Sequence, residues 1–80
     1  MTTPLRPFVV YGFASVHDTL AAEAALKAAG VTAVAIPSPR ELGELCGIAM
    51  RVDPADAAAA EQVLASSGLP PWSRVQIDDL

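Results

Sequence analysis

Hydrophobic residues in this chain are grouped into four short segments that have the composition of β-strands. Phe8 to Phe13 is an apolar run with aromatic and β-branched residues, which is typical of a buried strand. Val31 to Ile36 is β-branched and is ended by Pro37-Ser38-Pro39, because proline has no N–H to donate to a β-ladder. Apolar residues alternate with other types in the last two segments, Gly47 to Val52 and Arg74 to Asp78. The pattern therefore predicts four strands.

A helix is predicted between the first two strands. Ser15 followed by Asp18 three residues later resembles a capping box, in which side chains bond the free N–H groups of a helix start. Helical spacing of apolar residues continues from there to Gly30, which supplies the left-handed conformation that ends many helices. We expect this helix to cover about Val16 to Ala29.

A second helix is predicted after the third strand. Asp53 is suited to the N-cap, Pro54 to the first helical position and Gly68 to the stop, and the apolar spacing runs through Leu64. The resulting order β, α, β, β, α, β resembles the split βαβ, ferredoxin-like fold. We therefore expect an α+β two-layer sandwich, in which a four-stranded antiparallel sheet carries both helices on one face.

Length and charge limit what this fold can do. Eighty residues allow one domain with a modest core, so we expect a single domain over residues 1–80, with 1–7 and 79–80 as flexible tails. Five Lys and Arg against nine Asp and Glu give a net charge of −4, and no basic cluster is present. Nucleic-acid affinity comes mostly from neutralised phosphates, so a nucleic-acid partner is not expected.

A single cysteine, Cys46, excludes two further classes of protein. One thiol forms no intrachain disulfide, and a structural zinc site needs three or four ligands, so we expect neither a metal nor another cofactor. Met1 to Pro7 lacks the charged and then apolar stretch that is typical of a signal peptide, and no apolar run approaches the roughly 20 residues that span a bilayer. We expect a cytoplasmic protein with no membrane association.

The predicted topology brings several polar segments to one end of the sheet. Right-handed crossovers place strands one and two parallel, with strand three between them, so the end of strand one lies near the loop after strand two. The start of strand four belongs to the same end. The side chains expected there are those of Ser15, His17, Arg40, Cys46 and Trp72.

Cys46 has two interpretations at this position. The pKa of a thiol falls near a helix N-terminus, an arginine or a protonated histidine, and the thiolate is the reactive form. Periodicity favours an inert core cysteine, because Cys46 has the same strand parity as the apolar residues of strand three and free cysteines are often buried. Glu41 and Glu44 would also oppose thiolate formation. The residues alone leave both interpretations open.

The sequence resembles the family of selenium/sulfur carrier-like proteins, which are small bacterial proteins of similar length. The resemblance covers about residues 8 to 52, and its most specific part is a Pro-Ser-Pro-Arg-Glu segment followed by a Cys-Gly pair. It rests on Phe13-Ala14-Ser15-Val16-His17-Asp18, Ala22-Glu23, Gly30-Val31, Ile36-Pro37-Ser38-Pro39-Arg40-Glu41 and Cys46-Gly47-Ile48-Ala49. One departure is Gly43-Glu44-Leu45, where the family usually has small hydroxyl residues that could hold a persulfide anion.

The resemblance implies that Cys46 carries sulfane sulfur or selenium as a persulfide or selenosulfide. The partners would be a donor protein, such as a cysteine desulfurase, and an acceptor enzyme, so the protein itself would be a non-enzymatic carrier. Gly47 would let a backbone amide approach the sulfur. Arg40 could stabilise a sulfur anion, grip an acidic partner or bond loop carbonyls. We expect Ser15 to cap the helix, and a hydrogen bond from it to the sulfur would be a secondary role. His17 is expected to be either a solvent-exposed surface residue or a proton donor.

An interaction module with an inert Cys46 is the alternative function. Two helices cover one face of the predicted sheet, which leaves the other face open, and we expect Ala33, Ala35 and Ala49 on it. A small, flat, apolar face suits sheet-to-sheet association or ligand binding. This interpretation predicts a regulatory or ligand-binding domain, or a homodimer formed through the open face.

Overall fold

Strands and helices follow the predicted order in the computed structural model, which describes residues 5–39, 47–69, 71 and 73–79. A 3₁₀ turn (Pro54–Asp56) lies between the third strand and the second helix. The elements are β1 (Arg6–Gly12), α1 (Val16–Ala28), β2 (Ala33–Pro37), β3 (Ile48–Val52), α2 (Ala57–Ser66) and β4 (Ser73–Asp79).

The four strands form one sheet in the order β2-β3-β1-β4, and every neighbouring pair is antiparallel. Because β1 and β2 are both antiparallel to β3, they are parallel to each other with β3 between them. This topology confirms the predicted α+β, ferredoxin-like sandwich. It also places the ends of β1 and β2 and the starts of β3 and β4 at one end of the sheet, which we call the loop end.

The first strand begins earlier and the second later than the sequence pattern predicts. Arg6 and Pro7, which we expected in a flexible tail, belong to β1 and pair with residues 79 and 78 of β4. Val31 does not start β2, because its N–H bonds back to the carbonyl of Leu26 at 2.9 Å. That bond closes α1 after Gly30 (φ 78°), so the chain reaches extended geometry only at Ala33.

Side-chain caps fix the start of α1 and the start of the turn that precedes α2. The Ser15 Oγ atom accepts a hydrogen bond from the Asp18 N–H at 3.0 Å, which confirms the predicted N-cap of α1. Asp53 also caps as predicted, accepting from the Ala55 N–H at 2.9 Å, but the turn that it opens is a 3₁₀ turn over residues 54–56. The α-helix itself begins at Ala57, three residues after the predicted first helical position. The tight bond from the Asp56 N–H to the Asp53 carbonyl, 2.8 Å long, explains the delay.

The main core lies between the sheet and both helices. Small alanines on the helices allow α1 and α2 to pack closely on the strands, while leucine, methionine and aromatic side chains fill the remaining volume. Its buried members are Val9, Tyr11, Phe13, Ala22, Leu26, Met50, Val52, Ala57, Ala60 and Leu64.

The face of the sheet away from the helices carries larger apolar side chains than the predicted alanines, and two of those alanines lie on the other side. Ala33 pairs with Val52 and Ala35 with Met50, and directly paired residues share a face, so both alanines lie on the helix side. Ala49 lies on the open face as predicted. We call this surface the open face; its apolar members include Val10, Ile36, Ala49, Val75 and Ile77.

Candidate functional site

Four strand ends and the start of α1 meet at the loop end of the sheet. Gly12, the last residue of β1, pairs with Ala49 on one side and with Ser73 on the other. Pro37, the last residue of β2, pairs with Ile48, the first of β3. Helix α1 begins four residues after Gly12, so its N-terminal N–H groups belong to this end as well. The topology thus gathers the segments that the sequence analysis singled out.

The β2–β3 ladder continues one pair beyond the strands themselves. The Ser38 N–H donates to the Gly47 carbonyl at 2.9 Å, which holds these two residues opposite each other. Gly47 adopts φ 88°, and a Cβ atom built there would have no neighbour within 4 Å among the described residues. No described side chain therefore fills the position that a Cβ would take.

Ser38 is a feature of this end that the sequence analysis did not single out as functional. Its Oγ atom is buried and has no hydrogen-bond partner among the described residues. Buried hydroxyls are nearly always paired, since an unpaired one costs about 1–3 kcal/mol. The sequence Pro37-Ser38-Pro39 indicates only the backbone donor of this segment, because Ser38 alone of the three residues has an N–H group.

Of the five side chains that we expected at the loop end, those of Ser15 and His17 belong to the described residues. Ser15 is partly buried, and its hydroxyl oxygen is engaged as the cap of α1. His17 lies in the first turn of α1 and is exposed to solvent. Ser15 therefore has the structural role predicted for it, and the exposed imidazole of His17 is accessible to a partner.

Cys46, Arg40, Glu41, Glu44 and Trp72 lie outside the described residues, so their predicted roles stay predictions. Cys46 directly precedes Gly47 in the sequence, and the segment that contains Arg40 connects the residues paired at Ser38 and Gly47.

Most of the chain matches a protein-family model. The family model described as "Putative Se/S carrier protein-like" matches residues 9–76 of the 80-residue chain. This chain belongs to the Se/S carrier protein-like family. No curated protein and no solved structure matches it. The match includes the Cys46-Gly47 pair and all of the loop end described above.

A second polar cluster in this family member joins β1, α2 and β4. The Tyr11 hydroxyl donates to the Glu61 Oε2 atom at 2.7 Å and lies 3.4 Å from the Ala57 carbonyl oxygen. Arg74 donates from Nε to the same Glu61 oxygen at 3.1 Å. Burial, followed by the hydrogen bond to Glu61, raises the pKa of Tyr11 to about 12. A phenol held neutral in this way fastens α2 to the sheet and is unsuited to acid–base work at neutral pH.

Arginine and aromatic side chains meet at the opposite end of the open face. The guanidinium carbons of Arg6 and Arg51 lie 5.2 and 4.1 Å from the centroid of the Phe8 ring. Arg6 also forms an exposed ion pair with Asp53, with Nη2 and Oδ2 2.7 Å apart. Exposed pairs of this kind contribute about 0–1 kcal/mol, so we assign the cluster a local packing role.

Neither a metal-binding cluster nor a membrane-spanning helix occurs in the described part of this Se/S carrier-like chain. Within residues 5–39, 47–69, 71 and 73–79, no three His, Cys, Asp or Glu side chains come together as they would around a metal ion. Among the helices over the same residues, none has the length and apolar character needed to cross a membrane.

Proposed function

We propose that this protein carries sulfane sulfur or selenium on Cys46, as a persulfide or selenosulfide, and passes it to an acceptor protein. One observation carries the proposal: the chain belongs to the Se/S carrier protein-like family, and the match spans its one cysteine. A lone thiol suits a carrier, because persulfide exchange needs no resolving cysteine, whereas a dithiol oxidoreductase needs two.

The transfer balances without an external oxidant or reductant. The Cys46 thiolate attacks the outer sulfur of a donor persulfide, R–S–SH, so that a new S–S bond forms while the donor's S–S bond breaks. The products are Cys46–S–SH and the donor thiolate R–S⁻. An acceptor thiolate then attacks the outer sulfur on Cys46 in the same manner. With a donor R–S–SeH the same exchange places selenium on Cys46.

Features of the loop end support this chemistry. The N–H groups at the start of the 13-residue helix α1 carry partial positive charge, which favours an anion at this end of the sheet. Gly47 has no described atom within 4 Å of the position that a Cβ would take, and its backbone would let an amide approach the sulfur. In the proposal Arg40 stabilises the sulfur anion, His17 serves as a proton donor and Ser15 holds the helix start in place.

Loading by a cysteine desulfurase tests the proposal. The wild type is incubated with the desulfurase and isotopically labelled cysteine, and its intact mass is measured under non-reducing conditions. We expect a gain of one labelled sulfur atom on the wild type and none on Cys46→Ser. As a control for unspecific exchange, a thiol is moved to the exposed end of α2 in the double variant Cys46→Ser/Ser66→Cys. Equal loading rates for this variant and the wild type would contradict a dedicated carrier site.

The apolar open face of the sheet favours a second candidate function, which is association of two copies of the chain. Val34 lies at the centre of the edge strand β2 and is 42% exposed, next to the apolar cluster around Val10. A second copy of the chain could cover this surface by sheet-to-sheet packing. Sedimentation velocity should then show a dimer that Val34→Lys dissociates and that Cys46→Ser leaves intact. A monomer at all concentrations would remove this candidate.

A further inference from the structure

We infer that the outer edge of β4 pairs with the same edge of a second copy of this chain, in antiparallel orientation around Gln76. Strand β4 pairs with β1 on one side, and no described strand lies on its other side. The dimer continues one sheet through both copies. Its interface is separate from the open face, and it does not involve Cys46.

The alternation of hydrogen-bonded pairs across the sheet shows which backbone groups of β4 face outward. The bond of 2.9 Å from the Ser38 N–H to the Gly47 carbonyl joins two directly opposite residues, so every second pair counted from there exchanges bonds. Carried through the registers of β3, β1 and β4, this alternation bonds the odd-numbered residues of β4 to β1. The N–H and C=O groups of Arg74, Gln76 and Asp78 therefore point away from the sheet, as a template for another strand.

Prolines agree with this alternation and distinguish the two edges of the sheet. Pro7 pairs with residue 78 and Pro37 with residue 48, and both pairs are of the kind that exchanges no bonds, so neither proline leaves a ladder bond unmade. The edge strand β2 is five residues long and ends in Pro37, which is a common protection of an edge. Strand β4 is seven residues long and contains no proline. The β4 edge is thus the better suited of the two to pairing.

Charged side chains along the β4 edge are complementary to themselves about Gln76. When the Gln76 residues of two antiparallel copies lie opposite each other, Arg74 of each copy faces Asp78 of the other. All three side chains are exposed to solvent. Arg74 donates to Glu61 from Nε, and a guanidinium has further N–H donors for a second carboxylate. Parallel pairing in register would instead place like charges opposite each other, so the charges select the antiparallel arrangement.

Apolar side chains on the other side of β4 match in the same register. Val75 of each copy faces Ile77 of the other, and both residues already pack against the apolar cluster of the open face. Residues in pairs without exchanged bonds approach most closely, with Cα atoms about 4.5 Å apart. A shift of the register by two residues would remove both Arg74–Asp78 pairs. One register therefore satisfies the backbone groups, the charges and the apolar side chains together.

Two substitutions at exposed positions of the edge test this interface. Asp78→Lys turns both opposite-charge pairs of the dimer into like-charge pairs, and Gln76→Pro removes the central outward N–H without removing a bond to β1. Glu23→Lys, on α1, makes the same change of net charge and is the control. Sedimentation velocity over a concentration series gives the dissociation constant of the dimer. We expect each edge variant to raise this constant by about tenfold or more, and Glu23→Lys to stay within about twofold of the wild type.

A disulfide on the two-fold axis tests the register itself. In a Cys46→Ser background, Gln76→Cys gives each chain one thiol, and the two thiols of the dimer face each other with Cα atoms about 5.5 Å apart, which is within disulfide range. Oxidised glutathione should convert this variant to a covalent dimer. The matched variant carries Gln62→Cys in the same background, at an exposed position of α2, and should form the covalent dimer at least about tenfold more slowly.

The possible outcomes decide between this edge and the open face. A wild type that is monomeric at every concentration would overturn the inference. So would a dimer that Asp78→Lys and Gln76→Pro leave intact while Val34→Lys dissociates it, because that result places the interface on the open face. Thermal melting checks that each variant folds. If both edge variants are unfolded, the disulfide experiment decides, and equal rates for the two cysteine positions would overturn the inference.

Discussion

Removal of the Tyr11 hydroxyl group should destabilise the folded protein. The chain has one tyrosine, whose hydroxyl lies between α2 and the sheet and donates to Glu61 at 2.7 Å. Replacing it by phenylalanine removes this bond and leaves the ring in place. Glu61 keeps its contact with Arg74 and remains partly exposed, so it is not stranded without a partner. We therefore expect Tyr11→Phe to lower the free energy of unfolding at pH 7 by about 1 kcal/mol.

The Tyr11 phenol should also make the free energy of unfolding depend on pH. An ordinary tyrosine has a pKa of 10.0, and that of Tyr11 is raised to about 12 in the folded protein. Between these values the unfolded chain loses the phenol proton and the folded chain keeps it, so stability falls as the pH rises through this window. Below pH 10 the contribution is complete. Two pKa units correspond to about 2.7 kcal/mol, and screening at the half-exposed Glu61 and Arg74 reduces the expected loss to about 1–2 kcal/mol.

Absorbance and urea unfolding measure both parts of this prediction. Phenolate absorbance in the folded wild type gives the pKa of Tyr11 directly, and urea titrations from pH 9 to 12 give the stability. The difference between the wild-type and Tyr11→Phe curves isolates the phenol from lysine and arginine titration. Glu61→Gln should lower the pKa of Tyr11 but leave it above 10, because burial is the largest cause of the shift.

A phenol that titrates near pH 10 in the folded protein would contradict this prediction. A Tyr11→Phe variant that loses stability with pH as steeply as the wild type does would also contradict it. Glu23→Gln, at a carboxylate on α1, is the matched control and should leave the pKa of Tyr11 unchanged. An equal effect of the two Glu→Gln variants would indicate a general charge effect instead of the bond seen here.

Two further predictions concern the loop end. Ser15→Ala removes the cap of α1 and should cost about 1 kcal/mol in urea unfolding, whereas Ser15→Asp, which restores an acceptor for the Asp18 N–H, should recover most of it; equal stability of the Ala variant and the wild type would contradict the cap. Gly47→Ala and Gly68→Ala add a Cβ atom at φ 88° and 70°, and no described atom lies within 4 Å of it. Each substitution should therefore cost about 1–2 kcal/mol through backbone strain. Sulfur loading should fall in Gly47→Ala and not in Gly68→Ala, and equal loading by both variants would show that Gly47 has no role in the site.

Local signals in the sequence predicted the elements well where the chain bonds to itself over a few residues. Ser15 and Gly30 predicted α1 to within one residue of its end, because a cap and a left-handed stop act within one turn. The errors arose from competing local bonds. The Val31 N–H turns back to Leu26, which delays β2, and Asp53 caps a 3₁₀ turn that delays α2.

Features that depend on register could not be predicted from the pattern. Ala33 and Ala35 lie on the helix side because they pair with Val52 and Met50, and alternation alone does not show which face of a weakly patterned strand is covered. The bond from Tyr11 to Glu61 joins residues 50 apart in sequence, and no short-range pattern indicates it. The buried hydroxyl of Ser38 depends in the same way on the pairing of β2 with β3.

Following one labelled sulfur atom through the protein tests the central claim most directly. The wild type is loaded by a desulfurase from labelled cysteine, separated from it, and then mixed with an excess of an acceptor thiol, with intact mass measured after each step. The account predicts one labelled sulfur on the wild type after loading, its release to the acceptor in the second step, and no adduct on Cys46→Ser at any point. A wild type that gains no sulfur, or that gains as much as Cys46→Ser does, would contradict it.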